Sequence, residues 1–340
     1  MGVLRWLGLW VWMLVAAPAL AQEVVAAPTP QEEATWTVPP VPEDWVSLNG
    51  AAIQIHGHPD DWAVMSALQQ HSLTAVPELA NQMGLPIGDV IQVVLAPSEA
   101  EFRRLQPGRA PSWADATAYP ALGVIYLRAP RARGPATKPL GMVMDHELVH
   151  VILGRAFYPQ PTPSWLQEGL AQLMAGEHGP DAAITLSHGM ANGGLIPLES
   201  LEGRFPSDPV RARLAYAQSA DFLAWLQQVH GAEALPTLVQ SLAAGESLGP
   251  SVYRVTGAPL STVEAAWRSR ISTGAPIGLE AWTQTEVLWG LGGVMLVVGG
   301  VLRRRQFRRR LAEMERQEAL VDAVLAQIRA ERSEESHEPV

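Results

Sequence analysis

Hydrophobic and polar positions divide the central part of the chain into a strand-rich half and a helical half. Three short runs rich in β-branched and other apolar residues predict strands, at residues 51–55, 90–95 and 121–127. Helical spacing of apolar residues predicts a helix over residues 61–83, and a Ser-x-x-Glu box predicts a short one over residues 98–105. From residue 140 onward the period stays helical. This order predicts an α+β fold, with a small mixed sheet packed beside a helical half.

An apolar run at the amino terminus predicts a secretory signal peptide over residues 1–21. Arg5 supplies the positive start, residues 7–15 are apolar, and Ala19-Leu20-Ala21 has the small-x-small form of a cleavage site. An uncleaved anchor helix is the alternative, although the apolar run is short for a membrane span. The pattern therefore predicts export of the polypeptide that follows.

A second apolar stretch, near the carboxyl terminus, predicts a transmembrane helix over residues 281–302. Six arginines follow it directly, and such a cluster stays on the cytoplasmic side of a membrane. The prediction is a single-pass protein of the cytoplasmic (inner) membrane, with an extracytoplasmic or periplasmic domain and a cytoplasmic carboxyl terminus. A buried core helix is the alternative, which explains the apolar run but not the basic stop.

The tail, residues 303–340, is amphipathic at first and then charged. Its apolar residues recur at steps of three and four for about three heptads. This spacing would support a weak homo-oligomer, a helix that lies on the inner leaflet, or a solvated helix without a partner.

Composition limits the chemistry available to the rest of the chain. Residues 22–44 are rich in proline and poor in large apolar side chains, which predicts a linker ahead of a globular domain over residues 45–273. The chain has no cysteine, so disulfides, thiolate metal sites and cysteine nucleophiles are excluded. Its net charge of -10 argues against nucleic acid as a partner. Any bound metal must be held by His, Asp or Glu.

The most specific pattern in the sequence is His146-Glu147-x-x-His150. Two histidines four residues apart lie on one face of a helix, so their imidazoles can converge on a single ion. Glu147 stands beside the pair, where it is suited to take a proton from water. An ordinary surface helix with two chance histidines is the alternative. A catalytic zinc would need a third protein ligand and one open position.

Glu168, eighteen residues after His150, is the predicted third ligand. Three prolines between the two residues force a turn, and Ser164 with Gln167 three positions later can cap a new helix. If that helix returns antiparallel to the first, it brings Glu168 back to the ion.

These two segments, His146-Glu147-x-x-His150 and the Trp-Leu-x-Glu-Gly-Leu-Ala stretch around Glu168, closely resemble those of the gluzincin zinc metallopeptidases, especially the peptidase MA-like group. The resemblance implies that His146, His150 and Glu168 bind one Zn²⁺ per chain and that Glu147 is the general base. It also implies that a peptide or protein is the substrate and that the reaction is hydrolysis of peptide bonds.

The resemblance extends to two further features. Relatives often carry a Tyr-x-x-Ser stretch such as Tyr216-Ala217-Gln218-Ser219, and a tyrosine there would stabilise the oxyanion as a catalytic residue. A tyrosine buried for packing is the alternative reading of Tyr216. The strand predicted over residues 121–127 precedes the active helix, as the substrate-pairing edge strand does in relatives.

The sequence also departs from the related families at two points. The Gly-x-Met-Glu-Asn stretch with which aminopeptidases hold a free amino terminus is not visible, which favours an endopeptidase over an aminopeptidase. Gln172 stands where thermolysin-like enzymes carry an aspartate that orients a histidine, so another residue must supply that contact.

Two rival hypotheses belong to other classes. His56-Gly-His58-Pro59-Asp60-Asp61 resembles a signature of zinc-dependent sugar deacetylases, but Trp62 replaces its glutamate and no His-x-x-His pair follows. An acidic first turn of a helix is the favoured reading of this segment.

The second rival is a non-catalytic envelope module that binds peptides or proteins and retains a metal site. The absence of an evident fourth ligand favours the enzyme, because structural zinc sites are closed.

Overall fold

The computed structural model describes residues 29–108, 114–134 and 137–272. These residues form one five-stranded mixed sheet, followed mainly by helices, which confirms the predicted α+β class. The strands are β1 (Val46–Asn49), β2 (Ile53–Gly57), β3 (Ile91–Ala96), β4 (Ala116–Tyr119) and β5 (Val124–Arg128).

Ten α-helices lie within the described residues, and most of them follow the sheet in sequence. They are α1 (Pro30–Glu33), α2 (Trp62–Met83), α3 (Glu99–Arg104), α4 (Leu140–Phe157), α5 (Ser164–Met174), α6 (Pro180–Ala191), α7 (Pro209–His230), α8 (Ala234–Ala243), α9 (Leu248–Thr256) and α10 (Leu260–Ser272). The predicted helix over residues 61–83 is thus confirmed as α2, which ends where Gly84 adopts a left-handed conformation.

The strand order in the sheet is β1-β2-β3-β5-β4, with parallel pairing between β2, β3 and β5 and antiparallel pairing at both ends. Helix α2 packs against β2, and α4 packs against β4 and β5. Alternate side chains of the central strands, including Val94 and Tyr126, form a buried cluster with Phe102. Because β3 and β5 are covered on both faces, their sequences are nearly continuous apolar runs.

The prediction of an edge strand over residues 121–127 is wrong on two points, namely the residue at which the strand begins and its place at the edge of the sheet. Tyr119 to Gly123 form a turn, closed by hydrogen bonds from the Leu122 N–H to the Tyr119 oxygen and from the Gly123 N–H to the Pro120 oxygen. The strand β5 therefore begins at Val124 and lies between β3 and β4. The four-residue strand β4 forms that edge of the sheet and lies beside α4.

Part of the segment predicted to be a linker packs on the domain. Glu33 is buried and its carboxylate accepts a hydrogen bond of 2.8 Å from the Ala121 N–H. Burial raises the pKa of Glu33 to about 7. The Trp36 ring stands edge-on to Tyr119, with ring centroids 5.8 Å apart. Prolines alone predict an extended linker, whereas these two side chains anchor residues 29–36 to the β4–β5 turn.

No helix within the described ranges has the length and apolar character needed to cross a membrane. The predicted signal peptide (residues 1–21), the predicted transmembrane helix (residues 281–302) and the tail (residues 303–340) lie outside those ranges. Those three assignments stay predictions from the sequence.

Candidate metal centre

Helix α4 places two histidines one turn apart. The rings of His146 and His150 have centroids 4.8 Å apart, and their planes are inclined at 77°. Met144, Leu148 and Ile152 are almost completely buried on the same helix. Helix α4 packs against the sheet on one side and α5 on another, so His150 is buried and His146 is partly buried, and the pair does not lie on an ordinary surface helix.

Helix α5 brings the predicted third ligand to the same place. The ligand atoms of His146, His150 and Glu168 all lie within 4.8 Å of one another, and the His146 Nε2 atom is 3.8 Å from the Glu168 Oε2 atom. The predicted cap at the start of α5 is wrong. Pro163 is the N-cap residue, and the Ser164 hydroxyl donates instead to the Gly203 carbonyl oxygen.

The small residue after Glu168 allows α5 to approach α7 closely. A Cβ atom at Gly169 would lie 2.8 Å from the Leu223 Cδ1 atom and 2.8 Å from the backbone carbonyl carbon of Ser219. Trp165 and Leu170 of α5 are completely buried. The Trp-Leu-x-Glu-Gly-Leu-Ala stretch therefore has a packing role as well. Its small and apolar residues determine the position of α5, and with it the position of Glu168.

The electrostatics of His150 and Glu168 suit a divalent cation. Burial, together with the nearby His146, lowers the pKa of His150 well below its usual value, so this imidazole is neutral, as a metal ligand must be. Burial raises the pKa of Glu168. Two imidazoles and one carboxylate form a donor set that zinc prefers. A cation among them would also offset the cost of the buried carboxylates, so the residues fit a zinc ion.

Glu147 lies on α4 next to the first histidine and is only 9% exposed. Burial raises its pKa to about 7, although the nearby His146 acts in the opposite direction. The charges of Glu168 and Glu177 are close enough to raise it further. A carboxyl group whose pKa is near neutral pH can both accept a proton and return it.

Tyr216, on α7, interacts electrostatically with Glu168. The carboxylate of Glu168 is the main cause that raises the pKa of Tyr216, and burial adds to it, so the phenol keeps its proton and can donate it in a hydrogen bond. The Phe205 ring stands edge-on at a centroid distance of 4.9 Å and packs against the tyrosine ring. Tyr216 is therefore within electrostatic reach of Glu168, and its ring is packed against Phe205.

Glu177 is a neighbour of the centre that the sequence patterns did not single out. Its Oε2 atom lies 3.4 Å from the His146 Nδ1 atom and 2.7 Å from the Lys138 Nζ atom. The only signal in the sequence was indirect, namely Gln172 at a position where related enzymes carry an orienting aspartate. Glu177 lies beyond the end of α5, where helical spacing no longer predicts which way a side chain points.

The rival metal motif has a structural explanation. The His56 ring bridges Ser47 Oγ at 2.8 Å and Gln92 Oε1 at 2.7 Å, and His58 Nδ1 accepts a hydrogen bond from the Asp60 N–H. Asp61 pairs with an arginine. Among the described residues, His146, His150 and Glu168 are the one group of three or more such side chains placed to hold a metal ion.

A comparison with protein families agrees with the motifs. The sequence model of the Peptidase MA superfamily matches residues 106–273. Comparison with curated proteins gives no match. Among solved structures, the chain is similar to an M1 zinc metallopeptidase from Deinococcus radiodurans, with 16% identity and a TM-score of 0.41 over 66% of this chain and 50% of that chain. It is also similar to native yeast LTA4 hydrolase, with 11% identity and a TM-score of 0.42 over 66% of this chain and 39% of that chain. The chain thus spans about half the length of the bacterial metallopeptidase.

Proposed function

We propose that the domain containing residues 106–273, which the Peptidase MA superfamily model matches, hydrolyses peptide bonds with a zinc ion bound by His146, His150 and Glu168. The convergence of these three ligand atoms within 4.8 Å carries the proposal. Three protein ligands would leave one position of a four-coordinate zinc ion for substrate or water, as in catalytic zinc sites. When bound, the zinc ion would supply Lewis acidity to the scissile carbonyl group and lower the pKa of water.

The side chains around the ligands supply the proton transfers. The Glu147 carboxylate takes a proton from the attacking water and returns it to the nitrogen of the departing amine. Its burial and its raised pKa of about 7 suit both directions of transfer. The Tyr216 hydroxyl donates a hydrogen bond to the carbonyl oxygen as negative charge develops there.

Replacing Tyr216 with Phe tests the role of the phenol. We expect kcat/KM to fall by about 100-fold, as on removal of one oxyanion donor, with the zinc content unchanged. Steady-state kinetics on a fluorogenic peptide, together with metal analysis, would measure both. Tyr253→Phe, at an exposed tyrosine of α9, is the matched control and keeps full activity. Unchanged kinetics in the Tyr216 variant would assign that side chain to packing against Phe205.

The substrate we propose is an extended peptide cleaved at an internal bond. Strand β4 is the edge of the sheet next to α4, so its outer side can pair with a substrate backbone by hydrogen bonds. The lack of a Gly-x-Met-Glu-Asn stretch argues against recognition of a free amino terminus.

Matched peptides with free and acetylated amino termini test this proposal. We expect both forms to be cut at the same internal bond and at similar rates, and cleavage to stop when a chelator removes zinc and to return when zinc is restored. Mass spectrometry of the products identifies the bond. Cleavage of the free peptide alone, one residue at a time, would show an aminopeptidase instead.

The place of action that we propose is the outer side of the cytoplasmic membrane. The predicted signal peptide and the span at residues 281–302, with the arginines after it, support this orientation. Protease added to intact spheroplasts would digest the domain and leave a carboxyl-terminal epitope protected. Digestion of the epitope in intact spheroplasts would contradict the proposed topology.

A further inference from the structure

The imidazole of His146 lies between two carboxylates. Its Nε2 atom is 3.8 Å from the Glu168 Oε2 atom, and its Nδ1 atom is 3.4 Å from the Glu177 Oε2 atom. The Nδ1 atom is buried and makes no hydrogen bond in the part of the chain that the structure describes, and the Glu177 carboxylate is the charged group recorded beside it. Glu177 is therefore the acceptor available to a proton on Nδ1.

The end of α5 determines where Glu177 lies. The Gly176 N–H bonds to the Leu173 oxygen at 3.2 Å, and the Glu177 N–H bonds to the Gln172 oxygen at 2.8 Å, which together form a Schellman motif. Gly176 has φ of +73°, a left-handed conformation that side chains with a Cβ rarely adopt. One helix and its cap thus supply both Glu168 and Glu177, one on each side of the same histidine.

Contacts on either side of Glu177 hold it in place. Its side chain is 6% exposed, and the ammonium group of Lys138 lies 2.7 Å from the same carboxylate oxygen. The next residue, His178, has its Nε2 atom 3.7 Å from Asp221 Oδ1. Asp221 also accepts a hydrogen bond of 2.8 Å from the Trp267 Nε1–H. The connection after α5 is therefore tied to α7 and α10 and does not depend on the Lys138 contact alone.

We propose that Glu177, supported by Lys138, is the positioning residue that orients His146 for zinc. Its carboxylate accepts the Nδ1–H of the imidazole, which fixes the tautomer that leaves the Nε2 lone pair for the metal. A carboxylate in this role also makes the imidazole a better donor, because it stabilises positive charge on the ring. This inference rests on the proposed zinc site and supplies the orienting contact that Gln172 does not provide.

The affinity of the purified full-length protein for zinc, measured by competition with a chelating dye, tests the role of Glu177. We expect Glu177→Ala to bind zinc about 10–100-fold more weakly than the wild type, the range for loss of an outer partner of a ligand. Glu177→Gln, which keeps an acceptor oxygen but no charge, falls between the two. Lys138→Met weakens binding less than Glu177→Ala, because Lys138 acts only through Glu177. Glu246→Gln, at a glutamate paired with Arg254 in the same manner, leaves the affinity unchanged.

Two further measurements separate positioning from mere stabilisation of the fold. The thermal midpoint of the metal-free Glu177→Gln protein stays within the range of the Glu246→Gln control, whereas the absorption spectrum of its Co²⁺-substituted form shifts as the ligand field changes. In a His146→Ala background, adding Glu177→Ala causes no further loss of zinc affinity, because the side chain that it orients is absent.

The outcomes distinguish this inference from the proposed function. Equal zinc affinity in wild type and Glu177→Ala rejects the positioning role and leaves the peptidase proposal intact. A wild type that binds zinc tightly but cleaves no peptide, with weaker binding in Glu177→Ala, supports the positioning role and rejects the proposed function. A wild type that binds no zinc rejects both.

Discussion

Replacing Glu147 with Gln abolishes peptide hydrolysis and leaves zinc binding intact. The amide is nearly the same size as the carboxylate, but it cannot take a proton from water, so kcat is expected to fall by about 10³-fold or more. The side chain is not one of the three converging ligands, so the zinc content stays at the wild-type level. Peptide hydrolysis assays and metal analysis on the same preparation measure both quantities.

The Glu147 variant also decides between the two classes of function. Glu101→Gln, on the surface of α3, is the control for a lost carboxylate and keeps wild-type kinetics. A non-catalytic envelope module that binds peptides would be indifferent to the loss of a proton acceptor. If Glu147→Gln retained whatever activity the wild type shows in the cell, the domain would act by binding and not by hydrolysis.

Replacing Glu168 with Ala removes zinc from the protein. The wild type is expected to hold about one zinc ion per chain. The variant loses one of three ligands from a buried centre, so its dissociation constant rises by more than the roughly 100-fold that loss of an outer partner can cause. Metal analysis after dialysis, followed by titration of the metal-free protein, gives both the stoichiometry and the affinity.

Glu233→Ala, at an exposed glutamate just before α8, serves as the control for the Glu168 variant and keeps its metal. Circular dichroism of both proteins would show that the helices are retained. Zinc binding by Glu168→Ala as tight as in the wild type would remove this residue from the site. A wild type that holds no zinc after reconstitution would contradict the three-ligand centre as a whole.

Local sequence determined the elements that carry the site. Two histidines at a spacing of four share one face of any α-helix, so the convergence of His146 and His150 follows from the helical period itself. The end of α2 was predictable in the same way, because Gly84 readily adopts the left-handed conformation that ends a helix. The packing of Gly169 against α7 also begins with a local property, the absence of a Cβ atom.

The tertiary structure alone decided which elements meet. The sequence did not reveal that β4 and not β5 is the edge of the sheet, because strand order depends on pairing between distant segments. The sequence predicted a linker in the segment that Glu33 and Trp36 anchor to the domain. It also gave no direct indication that Glu177 lies beside His146. Helical and strand periods are set by each residue's own backbone and its near neighbours. A contact between a residue beyond a helix end and a histidine of another helix exists only once both helices are packed.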